Sequence, residues 1–339
     1  MKTLKIEEGI KLKVLITGGA GYIGSMVCHS LNDHGHEPVI LDSMTVGSEQ
    51  NVPQFPLYIG DIADKNLIGK VIQEHPEIEC VVHCAGKILV PESVIHPDQY
   101  YYENVSKSLE LFNNLRAIGV NKILLSSSAS VYEAKNGESV DENSPISPLS
   151  PYAKNKLMIE MILEDFCNAF EMKGIALRYF NPIGADPKMR CGPSLNNKSH
   201  LLSNLIRAAE DATFSMNITG FEWPTKDGTG VRDYIHVWDL AEAHVAALEA
   251  SDSICKSESK FQKINVGGGT PTTVMEFIEI FEEVYGSQIT TIKSPPRDGD
   301  TAGAFANIEK AERLMNWAPR MSVEQGIADA IKWNKKKNT

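Results

Sequence analysis

Tyr152-Ala153-Lys154-Asn155-Lys156 sets a phenol and an amine four residues apart at the start of a predicted helix, hence on one face. A phenol titrates near ~10 in water. An ammonium one turn away favours the phenolate, so such a tyrosine can take a proton from an alcohol or sugar hydroxyl. Ser128, at the end of the predicted strand Lys122–Ser128, can hold that hydroxyl or shuttle its proton. Catalytic candidates are therefore Ser128, Tyr152 and Lys156.

These groups need a partner for redox chemistry, and the N-terminal stretch supplies its signature. Lys11 to Ile16 is a short apolar run, followed by Thr17-Gly18-Gly19-Ala20-Gly21-Tyr22-Ile23-Gly24 and then helical spacing. Strand, glycine turn and helix open a dinucleotide-binding unit. Gly18 takes the tight turn, Gly21 lets backbone approach a pyrophosphate, and Gly24 permits close helix packing. A second predicted strand ends in Asp42, 24 residues after Gly18, where an acid binds the adenine ribose and repels a 2′-phosphate. No Arg follows it, so the cofactor reads as NAD rather than NADP. Its positive nicotinamide would further favour a Tyr152 phenolate. The cofactor set is Gly18, Gly21, Tyr22, Ile23 and Gly24 in the turn, Asp42, Asp61 and Ile62 at the adenosine end, and Cys84, Ala85 and Gly86 at the end of the fourth strand. Ser126, Tyr152, Lys156 and Tyr179 complete it. Asp61 reads equally well as an N-cap of the next helix.

Strands at 11–16, 37–42, 57–62, 79–86, 122–128 and 175–180 alternate with helices at 25–31, 64–75, 97–118 and 152–173. The fold class is α/β, a Rossmann-type doubly wound parallel sheet with a smaller C-terminal substrate-binding α/β domain. The boundaries read as an extension over 1–11, a dinucleotide domain over 12–181 with 233–270 returning to it, and a mainly substrate-binding domain over 182–339. Beyond Asn181 regularity fails. Loops surround a helix at 201–211, followed by helices at 237–250, 273–285 and 308–315 and a strand at 261–266. The closing Lys335-Lys336-Lys337 reads as a frayed tail. A net charge of −11 over 339 residues argues against nucleic acid or anionic membrane as partner. No apolar run reaches the ~18 residues of a membrane helix, and Met1–Lys11 lacks an export signal's apolar core. The six cysteines show no zinc or redox spacing, as expected of reduced thiols in a cytoplasmic protein with no metal.

The chain resembles the extended short-chain dehydrogenase/reductase family, and within it the UDP-sugar 4-epimerases, from about Lys13 to Trp333. The carriers are the glycine turn, Ser126-Ser127-Ser128-Ala129-Ser130-Val131-Tyr132, Ser150 to Lys156, Arg178-Tyr179-Phe180-Asn181-Pro182, and Asp227-Gly228-Thr229-Gly230-Val231-Arg232-Asp233-Tyr234-Ile235-His236. The resemblance implies that Asn104 binds the cofactor and that Asn181 and Arg232 hold the UDP phosphates and sugar. It assigns Arg297 and Asp300 to phosphate and ribose, with His200 and Leu201 beside the diphosphate. It implies NAD-dependent epimerisation at carbon 4 of UDP-glucose or UDP-galactose through a transient 4-keto sugar, and a homodimer pairing the helices at 97–118 and 152–173.

Two positions depart from the family pattern. The loop lysine that touches the cofactor matches Ile88 here, with Lys87 one place early, and His200 stands where Asn is common. A 4,6-dehydratase or decarboxylase would need acids where Ala129 and Ser130 stand, and a non-catalytic NAD sensor would lose Tyr152 or Lys156. Ala304 matches the family's sugar gate, where tyrosine closes the pocket to a 2-N-acetyl group. Alanine leaves room for the N-acetylated pair, unless a loop shift brings Phe305 into the space.

Overall fold

The computed structural model describes residues 11–133, 137–194, 200–211, 213–296 and 301–337. Strand β1 (Lys13–Thr17) feeds helix α1 (Tyr22–Asp33), then β2 (Glu37–Asp42), β3 (Leu57–Ile59), α2 (Lys65–Glu74) and β4 (Ile78–His83). Short helices α3 (Val90–Ile95) and α4 (Pro97–Tyr100) lead through a π-helical turn (Tyr101–Ser106) into α5 (Lys107–Ala117). Then come β5 (Lys122–Ser128), β6 (Glu138–Val140), α6 (Pro151–Ala169) and β7 (Lys173–Tyr179). The second half holds β8 (Asn181–Ile183), α7 (Leu201–Glu210), β9 (Met216–Thr219), β10 (Val231–His236), α8 (Val237–Glu249), α9 (Ser251–Ile254) and β11 (Phe261–Val266). It closes with β12 (Pro271–Thr273), α10 (Val274–Tyr285), β13 (Thr291–Ser294), β14 (Ala304–Ala306), α11 (Glu309–Met315) and α12 (Val323–Lys337).

Seven strands form one parallel sheet in the order β11-β7-β5-β4-β1-β2-β3. Both faces are covered, which explains the uninterrupted apolar runs. Val14 and Ile16 join a core with Met26 and Val27 of α1 and Leu240 of α8, while Leu15 joins Val71 of α2, Phe112 of α5 and Leu163 of α6 on the other face. The order reverses between β1 and β4, and there a crevice opens at the strands' carboxyl ends. The mixed sheet β12-β10-β8 and two parallel pairs, β13-β9 and β14-β6, build the second half over a core of α7, α10 and α12 side chains.

Several sequence expectations are corrected. The helix expected at 97–118 is broken by the π-turn, and the one at 152–173 stops at Ala169 because Lys173 already pairs with Lys122. The third strand stops at Ile59, and Asp64 rather than Asp61 caps α2, accepting from the amides of Asn66 and Leu67. Lys335–Lys337 are no frayed tail. They form the last turn of α12, and Lys336 Nζ donates to the Met189 carbonyl at 2.8 Å. Cations at a helix C-terminus also suit its dipole.

The start of α1 is the tightest point of the sheet's ligand edge. A Cβ on Gly24 would lie 2.2 Å from the Gly18 carbonyl oxygen and 2.7 Å from Gly19 Cα. Overpacking against backbone costs about 1–3 kcal/mol. Gly24→Ala is therefore expected to lower the melting temperature by several degrees, read by scanning calorimetry. Unchanged melting would show that the turn yields.

Candidate functional site

Helix α6 begins where it does because Ser150 caps it, its hydroxyl accepting from the Ala153 amide at 3.1 Å, and Pro151 occupies the first turn. Tyr152 and Lys156 thereby face the carboxyl end of β5, and both are buried. Lys156 Nζ donates to the Ser126 carbonyl at 2.7 Å and lies 6.0 Å from the Tyr152 ring centre. The Ser128 hydroxyl hydrogen-bonds the Tyr152 phenol.

Burial pushes the Tyr152 phenol up, and the Ser128 hydrogen bond opposes that rise. The four-residue spacing alone therefore does not bring the phenol towards neutrality, because desolvation is the larger effect. Burial also pulls Lys156 down to about 8, while Cys84 and Glu160 beside it act the other way. Ser126 is a hub. Its hydroxyl meets Cys84 Sγ at 3.1 Å and His244 Nε2 at 3.1 Å, and it hydrogen-bonds the buried Tyr179 phenol.

The dinucleotide cradle can be tested against the residues present. α1 has neither a capping side chain nor an acid in its first turn, so the amides of Tyr22, Ile23 and Gly24 point outward unpaired. A Cβ on Gly21 would have only the Gly18 carbonyl oxygen within 4 Å, at 3.2 Å, which leaves the approach open for a diphosphate. Gly18 has a φ of +72° and presses against Ala85. Asp42 is buried and braces the turn, accepting from the Ala20 amide at 3.0 Å and the Met44 amide at 2.8 Å. Each of its oxygens keeps acceptor capacity for a ribose hydroxyl. The set fits a dinucleotide.

Asp61 lies past β3, paired with Lys107 at 2.6 Å, with the mostly buried Ile62 beside it. Cys84, Ala85 and Gly86 follow β4 directly. Asn104 sits in the π-turn, and its amide grips the Lys87 backbone, accepting from Lys87 N at 2.7 Å and donating to Lys87 O at 3.0 Å. The Lys87 amine turns to Glu92 at 3.1 Å, while Ile88 is exposed.

The expected substrate residues come from other elements. Asn181 of β8 donates to the Asp233 carbonyl at 3.1 Å, and Arg232 of β10 donates to the Val231 carbonyl at 2.7 Å. His200 is the exposed N-cap residue of α7, and Leu201 is its first residue. Arg297 and Asp300 lie outside the described residues. Ala304 packs with Ala129 and Phe180 on the Val131, Tyr132 and Val140 cluster. Strand alternation turns Phe305 to the opposite face. Gly303 before it has a φ of +96°, and a Cβ there would meet the Val231 carbonyl oxygen at 1.8 Å.

Sequence reading missed the buried polar residues behind the site. Asp233 accepts from the amides of Gly268, Gly269 and Ala306, fastening β14 to β10. Glu160 and Arg178 form a buried ion pair behind Ser127. The available signal was a charged residue inside an apolar strand and another on the apolar face of a helix.

Residues 14–267 match the NAD dependent epimerase/dehydratase family. A UDP-glucose 4-epimerase of Bacillus subtilis (strain 168) is 37% identical over 332 residues, spanning 95% of this chain and 96% of that protein. The solved UDP-glucose-4-epimerase of Stenotrophomonas maltophila, with bound NAD and formylated UDP-arabinopyranose, superposes with a TM-score of 0.91 at 34% identity, over 96% of this chain and 99% of that one. The UDP-Glc/GlcNAc 4-epimerase of Campylobacter jejuni gives 0.81 at 32% identity, over 96% and 99%. The chain belongs to the NAD dependent epimerase/dehydratase family.

Proposed function

We infer that this chain is an NAD-dependent isomerase that inverts carbon 4 of a UDP-hexose, interconverting UDP-glucose and UDP-galactose through a transient 4-keto sugar. The carrying observation is the meeting of Ser128, Tyr152 and Lys156 at the end of β5, beside a glycine turn fit for a diphosphate. NAD, when bound, takes and returns the hydride. In our reading Tyr152 takes the proton of the 4-hydroxyl and returns it to the same oxygen, Ser128 holds that oxygen, and Lys156 offsets the charge on the phenolate. Asp42 selects NAD through the ribose, and Asn181 and Arg232 hold the UDP moiety. No acid side chain stands at Ala129 or Ser130, which speaks against dehydration or decarboxylation.

The remaining assignments are also ours. Residues 12–181 with 233–270 form the NAD-binding part, and the rest is mainly the UDP-sugar-binding part. Val94, Ile95, Tyr102, Met158 and Met161 expose apolar surface on α3, the π-turn and α6, which supports a homodimer through these elements. The six free cysteines support a cytoplasmic enzyme, and interconversion of UDP-glucose with UDP-galactose would place it in galactose metabolism.

Because the hydride goes out and back, the purified protein is expected to carry NAD and to epimerise without added nucleotide. Net NADH accumulation would identify a dehydrogenase instead. Tyr152→Phe should fold and lose at least the ~10²-fold in turnover typical of a general base. Near-native turnover would remove Tyr152 from that role. With Ala304 as gate, the pocket admits UDP-N-acetylglucosamine and UDP-N-acetylgalactosamine as well. Ala304→Tyr should abolish turnover of the N-acetylated pair and spare UDP-glucose, measured by separating the products. Equal losses on both classes would show that the gate lies elsewhere.

A further inference from the structure

Tyr152, Lys156 and Glu160 lie at successive four-residue steps of α6, and all three are buried. Glu160 is 2% exposed. Its carboxylate accepts from Arg178 Nη2 at 2.6 Å and from Arg178 Nε at 3.0 and 3.2 Å, and also from the Ser127 hydroxyl. Arg178 is completed by the Tyr132 hydroxyl at 3.0 Å, which in turn donates to Asn265 Oδ1 at 2.6 Å. Two consecutive residues of β5 thus hold α6 at two consecutive turns, Ser126 through Lys156 and Ser127 through Glu160.

A buried ion pair is often no more stabilising than apolar side chains of the same volume. Stability alone does not explain this pair, and its position suggests another role. The groups around Lys156 are His83 and Cys84 from β4, Ser126 from β5 with His244 of α8 behind it, and Tyr152 and Glu160 from its own helix, with Tyr179 of β7 reached through Ser126. Burial pulls His83 down to about 3 and His244 down to about 4, and pushes Cys84 up to about 11 and Tyr179 well above the ordinary phenol. At neutral pH all four are uncharged. Glu160, fastened to Arg178, is the anion among them.

Resting on the reading of Tyr152 as base, we propose that Glu160 is a positioning residue for the Tyr152–Lys156 pair. Its carboxylate holds α6 against β5 and β7 and faces the Lys156 ammonium with negative charge. The sign of the effect follows. Without that charge Lys156 loses its proton at lower pH, so the alkaline limb of the kcat profile moves down.

The test compares pH profiles of the NAD-containing wild type, Glu160→Gln and the double variant Glu160→Gln with Arg178→Gln. The double variant leaves no guanidinium unpaired, and it is the one read where the single variant does not fold. The alkaline limb should drop by about one pH unit, which lowers turnover at pH 8 about 5-fold. The double variant removes the Arg178 cation together with the Glu160 charge, so its limb should move in the same direction but less far. A rate that is scaled without any movement of the limb, or a wild-type profile, would overturn the proposal. Tyr152→Phe, measured alongside, separates the two readings. Retained turnover there would sink the base itself, whereas its loss with an unmoved Glu160→Gln limb sinks only the role of Glu160.

Discussion

Lys156 carries an amine into a site where it is 3% exposed, and its Nζ donates to a single backbone carbonyl, Ser126 O. Burying a cation is costly unless it is hydrogen-bonded and faced by opposite charge. Both conditions are met only because β4, β5 and β7 lie side by side and α6 packs along one face of them with its first turns at the carboxyl end of β5. Moving α6 by one turn would leave the ammonium without Ser126 O and Tyr152 without Ser128. The arrangement of the sheet and the charge state of the site are therefore one problem with one solution.

The same edge is shaped by steric exclusion. Gly24 lets α1 start almost against Gly18 and Gly19, so its free amides and positive dipole end face the crevice between β1 and β4. Asp42 then fixes the turn from the side through Ala20. On the far wall, Gly303 leaves no room for a side chain beneath the Val231 carbonyl, and Asp233 holds the Ala306 amide at 2.8 Å. Ala304 sits between these two fixed points. The space in front of Ala304 depends on backbone that has little freedom to move.

Polar groups inside the sheet connect these walls. Thr17, His83 and Ser108 form a buried chain, with the His83 ring nitrogens at 2.7 Å from Thr17 Oγ1 and 2.8 Å from Ser108 Oγ. Ser108 donates onward to the Asn104 carbonyl at 2.5 Å. The direction of that last bond makes Nε2 the donor nitrogen of His83. Thr17 precedes the glycine turn and Asn104 grips Lys87, so the chain ties the cofactor crevice to the π-turn.

The sequence by itself determined the Rossmann half and the three groups at the end of β5. Those features are local: an apolar run buried on both faces, a glycine turn, a capped helix start, and two side chains four residues apart. Each is decided by neighbours within a few positions, so their types alone are informative. The tertiary structure alone decided what those local features could not contain. β8, β9, β12 and β14 are only 3 or 4 residues long and are held by partners far along the chain, leaving no periodic signal to read. Helix α12 had to dock before its lysines ceased to look like a tail. Asn104 found Lys87, Asp233 found Ala306, and Glu160 found Arg178 only when distant strands were brought together. Desolvation, which sets the charge of Lys156 and Tyr152, is likewise a property of everything packed around them and is written in no single stretch of residues.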